Sequence, residues 1–470
     1  MPYPIAYDFL FSVKDNPTNT AIIISDRAYT YHELYSYTDC ILDHIRMNFK
    51  DESRIGVTES YDIFMYAAIL AISLSGKSFV SIPSQFPLKR VSTMLQRSQT
   101  KVVLEANQIK INKNPREIST CISSISPAIN SEAYVLFTSG STGEPKGVAI
   151  KIEQVQSFFN FFKRYEFSQR DVFLQMFSIG FDLSIFSIFA PLSMGASIVA
   201  ISSYQLINLQ VAQLIKKYNC TIALMVPSII KQIKPHLSEI NPSLRLSFFC
   251  GEGLRKDDVI DWKNHFNKSQ IINLYGPTEA TISCTAYELP NHDNEILHKN
   301  GIVSIGKPFE NLQFFINQHG ELLLSGIQVI ESYLNQEFSQ YFEIIKGEIY
   351  YRTGDQICMD SSGNLLFMGR MDNQIKFQGY RIELGEIVYA IENYSNQLRA
   401  VVCLDTSSYS KFLHAYLSGA EVDVNELILF LKEKLPDYMI PTKFTNIKEI
   451  PLNTNGKVDF NSLNQRNNHE

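Results

Sequence analysis

Thr138-Ser139-Gly140-Ser141-Thr142-Gly143-Glu144-Pro145-Lys146-Gly147 follows directly on the apolar, strand-like residues 134–137, and this junction decides the reading of the fold. Glycines let backbone N–H groups approach an anion with no Cβ in the way. The hydroxyls of Thr138, Ser139, Ser141 and Thr142 add donors suited to phosphate oxygens, and Lys146 supplies a mobile positive charge. The run therefore has the chemistry of a loop that grips a polyphosphate such as that of ATP, although a surface linker would also be rich in Gly, Ser and Pro. A Walker loop needs Gly-Lys-Ser/Thr, whereas Pro145 precedes this lysine and Gly147 follows it, which disfavours a P-loop NTPase.

Outward from the loop, strand-like stretches alternate with helical periodicity. Residues 148–152 read as a strand, and the helix after them repeats Val155, Phe158, Phe159 and Phe162 at i, i+3, i+4 and i+7. An aromatic stripe at that spacing is a core face packed on a sheet, so the layering is α/β. Residues 107–130, rich in Asn, Lys, Ser and Ile, read as a peripheral connection into the loop. Beyond Gly369 the texture changes to a short strand (374–377), a turn at Gln378-Gly379, and a helix from Leu384 with Ile387, Ile391 and Tyr394 on one face. A smaller α+β unit is expected there.

A chain of 470 residues is too long for one compact core. Its net charge of −6, with no block of Lys and Arg, excludes the electrostatic footprint of a nucleic-acid binder. The apolar run at 64–74 is too short to span a bilayer, and the start Met1-Pro2-Tyr3-Pro4 lacks a basic signal region, so a cytoplasmic location without membrane insertion is expected. Cys40, Cys121, Cys220, Cys250, Cys284, Cys358 and Cys403 lie far apart with no Cys-x-x-Cys, which indicates neither a disulfide framework nor a zinc site.

Five motifs then occur in a telling order: the loop itself, Asn273-Leu274-Tyr275-Gly276-Pro277-Thr278-Glu279-Ala280-Thr281, Tyr351-Arg352-Thr353-Gly354-Asp355, Gly369-Arg370-Met371-Asp372 and Asn455-Gly456-Lys457. In this the chain resembles the adenylate-forming superfamily, from Thr30-Tyr31-His32-Glu33-Leu34 to Lys457-Val458-Asp459. Phe181-Asp182-Leu183-Ser184, Phe248-Phe249-Cys250-Gly251-Glu252 and Leu435-Pro436-Asp437-Tyr438-Met439-Ile440-Pro441 look most like D-alanine–carrier protein ligases and stand-alone nonribosomal-peptide adenylation domains. The resemblance implies an N-terminal domain, residues 1–371, of layered α/β subdomains with a small β-barrel-like part. It also implies a mobile α+β C-terminal domain, residues 372–470, hinged at Asp372.

The resemblance also assigns roles. Residues Thr138 to Lys146 would hold the β- and γ-phosphates of ATP, Tyr275 would stack on adenine beside Asn273 and Gly276, and Thr278 would contact the α-phosphate. Glu279 would bind Mg²⁺, Asp355 would accept both ribose hydroxyls, and Arg370 would contact ribose or phosphate. Lys457 would bridge the attacking carboxylate and the α-phosphate, and Lys376 would serve the thioester-forming half-reaction. Without the family, Asn455-Gly456 is the common type I′ hairpin pair, Asp355 is a turn cap, and Arg370 is an exposed ion-pair partner.

Asp182 stands among apolar residues with no cation nearby in sequence. It reads either as a helix N-cap or, by resemblance, as the acid that receives a substrate's α-ammonium; the latter is preferred. The pocket carried over with it comprises Leu183, Phe186, Leu224, Phe248, Cys250, Gly251, Leu274, Ile282 and Ser283. Such walls suit a small or medium uncharged amino acid, with D-alanine first and proline, cysteine, L-alanine or valine open. The segment 325–333 lacks the family's second glycine and Thr454 replaces a common proline, but neither change removes a catalytic group. The chain ends soon after Asp459, so a separate acyl or peptidyl carrier protein, with its phosphopantetheine arm, is expected in trans. Two other classes stay open: an acyl-CoA ligase for a simple carboxylic acid, which would not need Asp182, and a noncatalytic nucleotide-binding relative.

Overall fold

The computed structural model describes residues 3–112, 114–127, 132–140, 144–203, 207–239, 243–335, 340–372, 374–377, 379–405, 411–451, 458 and 463. The chain divides into two compact units, one comprising Met1–Ser84, Leu95–Thr138 and Gly147–Asp372, the other Gln85–Met94, Ser139–Lys146 and Asn373–Glu470. The second unit thus gathers two stretches that the sequence reading kept in the N-terminal domain, including most of the glycine-rich loop.

Among the described residues the larger unit holds a nine-stranded sheet in the spatial order Lys307–Pro308, Thr285–Glu288, Gln270–Tyr275, Leu246–Phe249, Ile222–Met225, Val172–Gln175, Ser197–Ala200, Thr20–Ile24 and Arg27–Thr30. From Gln270–Tyr275 through Thr20–Ile24 the strands are parallel, and the two central ones, Leu246–Phe249 and Ile222–Met225, are buried along their whole length. That is the pattern of a sheet covered on both faces. A second sheet runs Val103–Leu104, Arg54–Thr58, Ser78–Ile82, Glu132–Thr138, Lys146–Lys151. Its first four strands pair in parallel.

Helix Ile63–Leu74 is apolar on every side and buried nearly throughout, as an all-round hydrophobic helix must be; Asp62 caps it through the Met65 N–H at 3.2 Å. Helix Tyr31–Asn48 starts with a capping box, in which Thr30 Oγ1 accepts the Glu33 N–H (3.1 Å) and Glu33 accepts the Thr30 N–H (2.8 Å). Helix Ile152–Phe162 buries Val155, Phe158 and Phe162 as its spacing foretold, while Phe159, expected on the same face, is only partly buried. The connection at 107–130 is more regular than its composition suggests. It contains helix Ile118–Ser124, fixed by buried Cys121 and by Arg116, whose backbone and side chain both bind Asp39 at 2.8 Å.

The small β part is a five-stranded antiparallel sheet built on the long strand Glu348–Met359, flanked by Glu321–Gly326, Phe342–Ile345 and Leu365–Arg370, with Leu312–Ile316 outermost. The smaller unit has a hairpin, Gln374–Phe377 with Tyr380–Glu383, and a sheet of Arg399–Asp405, Phe412–Ser418 and Lys443–Asn446. Helices Leu384–Glu392 and Val424–Lys432 close its core through Ile387, Ile391, Leu427 and Leu431.

Candidate active site

In open parallel sheets, ligands collect at the carboxyl ends of the strands. The larger unit places its sequence-flagged residues there. Asp182 follows Val172–Gln175, Leu224 lies in Ile222–Met225, Cys250-Gly251 follows Leu246–Phe249, and Leu274 and Tyr275 end Gln270–Tyr275. In the second sheet, Glu59, Ser84 and Thr138 occupy the same end of their strands.

Asp355 lies mid-strand, not at a turn, directly opposite Arg370. Its Oδ1 receives Arg370 Nη1 at 2.7 Å, and its Oδ2 receives the Tyr275 hydroxyl at 2.5 Å. Arg370 also grips Asp372 through Nε and Nη2, both at 2.7 Å, and donates to the Thr353 carbonyl at 3.0 Å. Its side chain is only 10 % exposed, so it is no ordinary surface ion-pair partner. Burial, then the adjacent Asp355 charge, pushes the Tyr275 phenol well above its usual range, which keeps it a donor. Each Asp355 oxygen retains a further lone pair, the capacity that two ribose hydroxyls would require.

Thr278 and Glu279 sit on a 3₁₀ turn that ends in two left-handed β-branched residues, Thr281 (φ 57°) and Ile282 (φ 70°). Such residues resist that conformation. It is held here by Gln328, whose amide donates to the Ser283 carbonyl (3.0 Å) and whose backbone carbonyl accepts the Thr281 hydroxyl (2.6 Å). Glu279 is wholly buried, and the Tyr333 hydroxyl donates to its Oε1 at 2.6 Å. One buried carboxylate suits Mg²⁺, which binds one or two carboxylates and completes its shell with phosphate oxygens and water. Asn273 donates to the Ser304 carbonyl at 2.9 Å while its Oδ1 is buried and, among the described residues, without a hydrogen-bond partner, as is Thr138 Oγ1 at the start of the glycine-rich loop. Orphaned buried acceptors of this kind fit a polar ligand.

Within the smaller unit, the Ser139 hydroxyl donates to the Arg381 carbonyl (3.0 Å) and accepts the Glu383 N–H (3.2 Å), and the Gly140 N–H meets Glu386 Oε2 at 3.2 Å. A Cβ on Gly140 would lie 2.0 Å from the Glu144 carbonyl, so only glycine permits this turn. Glu386 is paired with Arg90 at 2.5 Å, both buried. Lys146 is 4 % exposed, and Lys376 lies opposite Arg381 in the hairpin. Ser141, Thr142, Gly143 and the Asn455-Gly456-Lys457 hairpin lie outside the described residues.

Asp182 immediately precedes helix Leu183–Ser193 but makes no capping hydrogen bond with its side chain, which removes the N-cap reading. Leu183, Phe186, Leu224, Phe248, Cys250, Leu274, Ile282 and Ser283 are all buried, and Gly251 is partly so. Phe186 meets Phe162 at a centroid distance of 4.7 Å and Phe248 at 5.7 Å. The aromatic stripe read as core is core, and it packs against Phe186 and Phe248, two residues of the expected pocket. Phe186→Ala is expected to lower stability by about 3–5 kcal/mol, the cost of truncating a fully packed ring, as thermal or urea unfolding would read. Sequence reasoning missed Tyr134, Tyr333 and Glu59. The Tyr134 hydroxyl is buried with no hydrogen-bond partner among the described residues, and the Asp182 charge adds to burial in raising its pKa.

Residues 9–334 match the AMP-binding enzyme family. The chain belongs to that family, the adenylate-forming superfamily, whose members are ligases. It is 31 % identical to bacitracin synthase 2 of Bacillus licheniformis over 96 % of its own length but spans only 18 % of that protein. It is 29 % identical to the D-alanine–D-alanyl carrier protein ligase of B. licheniformis, covering 96 % of this chain and 97 % of the ligase. The crystal structure of the Vibrio cholerae adenylation domain AlmE in complex with glycyl-adenosine-5′-phosphate superposes with a TM-score of 0.87 at 23 % identity, over 100 % of this chain and 98 % of that one. The fold is therefore that of the adenylation domains. Among the described residues no helix is long and apolar enough to cross a membrane.

Proposed function

We propose that this protein adenylates a small or medium uncharged amino acid with ATP and Mg²⁺, releasing pyrophosphate, and then passes the aminoacyl group to the phosphopantetheine thiol of a separate carrier protein. The observation that carries the reading is Asp182, a partly buried carboxylate that does not cap its helix, while the residues expected to wall the pocket with it are uncharged and, Gly251 apart, buried. A carboxylate in that position can receive a substrate's α-ammonium as a charge-assisted hydrogen-bond acceptor. D-Alanine is the first choice of substrate. It is supported by a match to the D-alanine ligase that runs through nearly all of that enzyme.

Both reactants are anions and the leaving pyrophosphate gains charge, so the work of the chain is positioning and neutralisation. Asp355 and Tyr275 fix the nucleoside, with Arg370 locking Asp355 in place. The loop from Thr138 to Lys146 takes the outer phosphates, and Thr278 the α-phosphate. Glu279 would hold Mg²⁺, which supplies positive charge to the phosphate oxygens. Lys457 neutralises the charge that builds between carboxylate and α-phosphate. Asp372 serves as the hinge between residues 1–371 and 372–470, and Lys376 acts in thioester formation. A cytoplasmic location, where ATP is available, is part of the same proposal.

Amino-acid-dependent ATP–pyrophosphate exchange over a panel of D- and L-amino acids and simple carboxylic acids tests the reading. Exchange driven by one small uncharged amino acid is expected, whereas exchange driven only by simple acids would make the chain an acyl-CoA ligase, and none at all a noncatalytic relative. Tyr333→Phe removes the hydrogen bond that orients Glu279, so the Mg²⁺ needed for half-maximal exchange is expected to rise about fivefold, as a magnesium titration would show.

A further inference from the structure

The loop that delivers Asp182 is pinned by a second buried carboxylate. Glu59, at the carboxyl end of strand Arg54–Thr58, is 5 % exposed, and among the described residues no cation pairs with it. Its Oε1 accepts the Ile179 N–H at 3.1 Å, and the Ser178 hydroxyl donates to it as well. Its Oε2 accepts the N–H and the hydroxyl of Ser84, each at 3.3 Å. Glu59 therefore ties the loop leading from one sheet to the turn that follows Ser78–Ile82 in the other.

From that tie the chain runs to Asp182 without slack. The Gly180 N–H binds Ser178 Oγ at 3.2 Å, the Phe181 N–H binds the Ser178 carbonyl at 3.0 Å, and the Asp182 carbonyl accepts the Ile185 N–H at 2.9 Å. Gly180 lies so close to Pro83 that a Cβ there would come within 2.5 Å of the proline ring. The four groups around Glu59 are all donors, and an ionised carboxylate is the side chain that only accepts.

We propose that Glu59 is a positioning residue for amino-acid selection, setting where Asp182 meets the substrate ammonium; the inference rests on the role given to Asp182 above. Glu59→Gln keeps the shape but turns an NH₂ toward a backbone N–H, so the tie loosens. The expected result in pyrophosphate exchange is a KM for the amino acid raised about tenfold, with the KM for ATP unchanged. An unchanged amino-acid KM, or an ATP KM that rises in parallel, would overturn it. Gly180→Ala removes no charge and presses the loop away from Pro83, so it covers a Glu59 variant that fails to fold. It should give the same selective rise, and a wild-type KM for the amino acid would again count against the proposal. Asp182→Ala is assayed alongside. If exchange survives that change, the reading of the function falls and the inference with it; if exchange is lost there while Glu59→Gln behaves as wild type, only the positioning role is refuted.

Discussion

Lys457→Ala is expected to cut adenylation by several orders of magnitude while leaving thioester formation from preformed aminoacyl-adenylate nearly intact. The asymmetry follows from charge. In the first half-reaction a carboxylate approaches an α-phosphate and both are anions, so an ammonium in the role proposed for Lys457 would act where charge develops. In the second, the adenylate has already lost the pyrophosphate and a thiolate attacks a carbonyl, so the same ammonium has little to neutralise. Single-turnover assays of each half-reaction separate the two. Equal losses in both would mean that the lysine acts by holding structure and not by holding charge.

Asp355→Asn should raise the KM for ATP by about a hundredfold and lower the melting temperature as well. Both effects come from one geometry. Each oxygen of Asp355 already receives a donor, Arg370 on one side and Tyr275 on the other, so an amide would turn its own donors against one of them. In the proposed role of Asp355, the variant would also lose a charged acceptor for the two ribose hydroxyls. The ribose part can be isolated with 2′-deoxy-ATP. Wild type should discriminate strongly against it, and Asp355→Asn should discriminate little, because removing either partner of a hydrogen bond makes removal of the other nearly free. Full discrimination in the variant would place the ribose elsewhere.

The motifs were legible because the chemistry demands particular residue types in runs: glycines and hydroxyls for phosphate, an isolated acid in apolar surroundings for an ammonium. Helical periodicity likewise revealed Ile152–Phe162 and its buried face. What the sequence could not display were partners brought together by folding. Tyr275 and Asp355 are 80 residues apart, Tyr333 and Glu279 54, Ile179 and Glu59 120, and Arg90 and Glu386 296. Nothing local in Thr58-Glu59-Ser60 marks a buried acid, and the donors that make it tolerable lie on loops that follow other strands. The connection at 107–130 misled for a similar reason, since its order depends on Asp39 of a distant helix. Asp182 was ambiguous for a local reason: an acid before an apolar helix is a natural cap, and only its side-chain hydrogen bonding shows that it is not used as one.

The most direct test of the account is amino-acid-dependent ATP–pyrophosphate exchange with wild type and Asp182→Ala side by side, D-alanine and simple carboxylic acids among the substrates. The account predicts exchange driven by one small uncharged amino acid and lost in the variant. Exchange driven by a simple acid and undiminished by Asp182→Ala would contradict it.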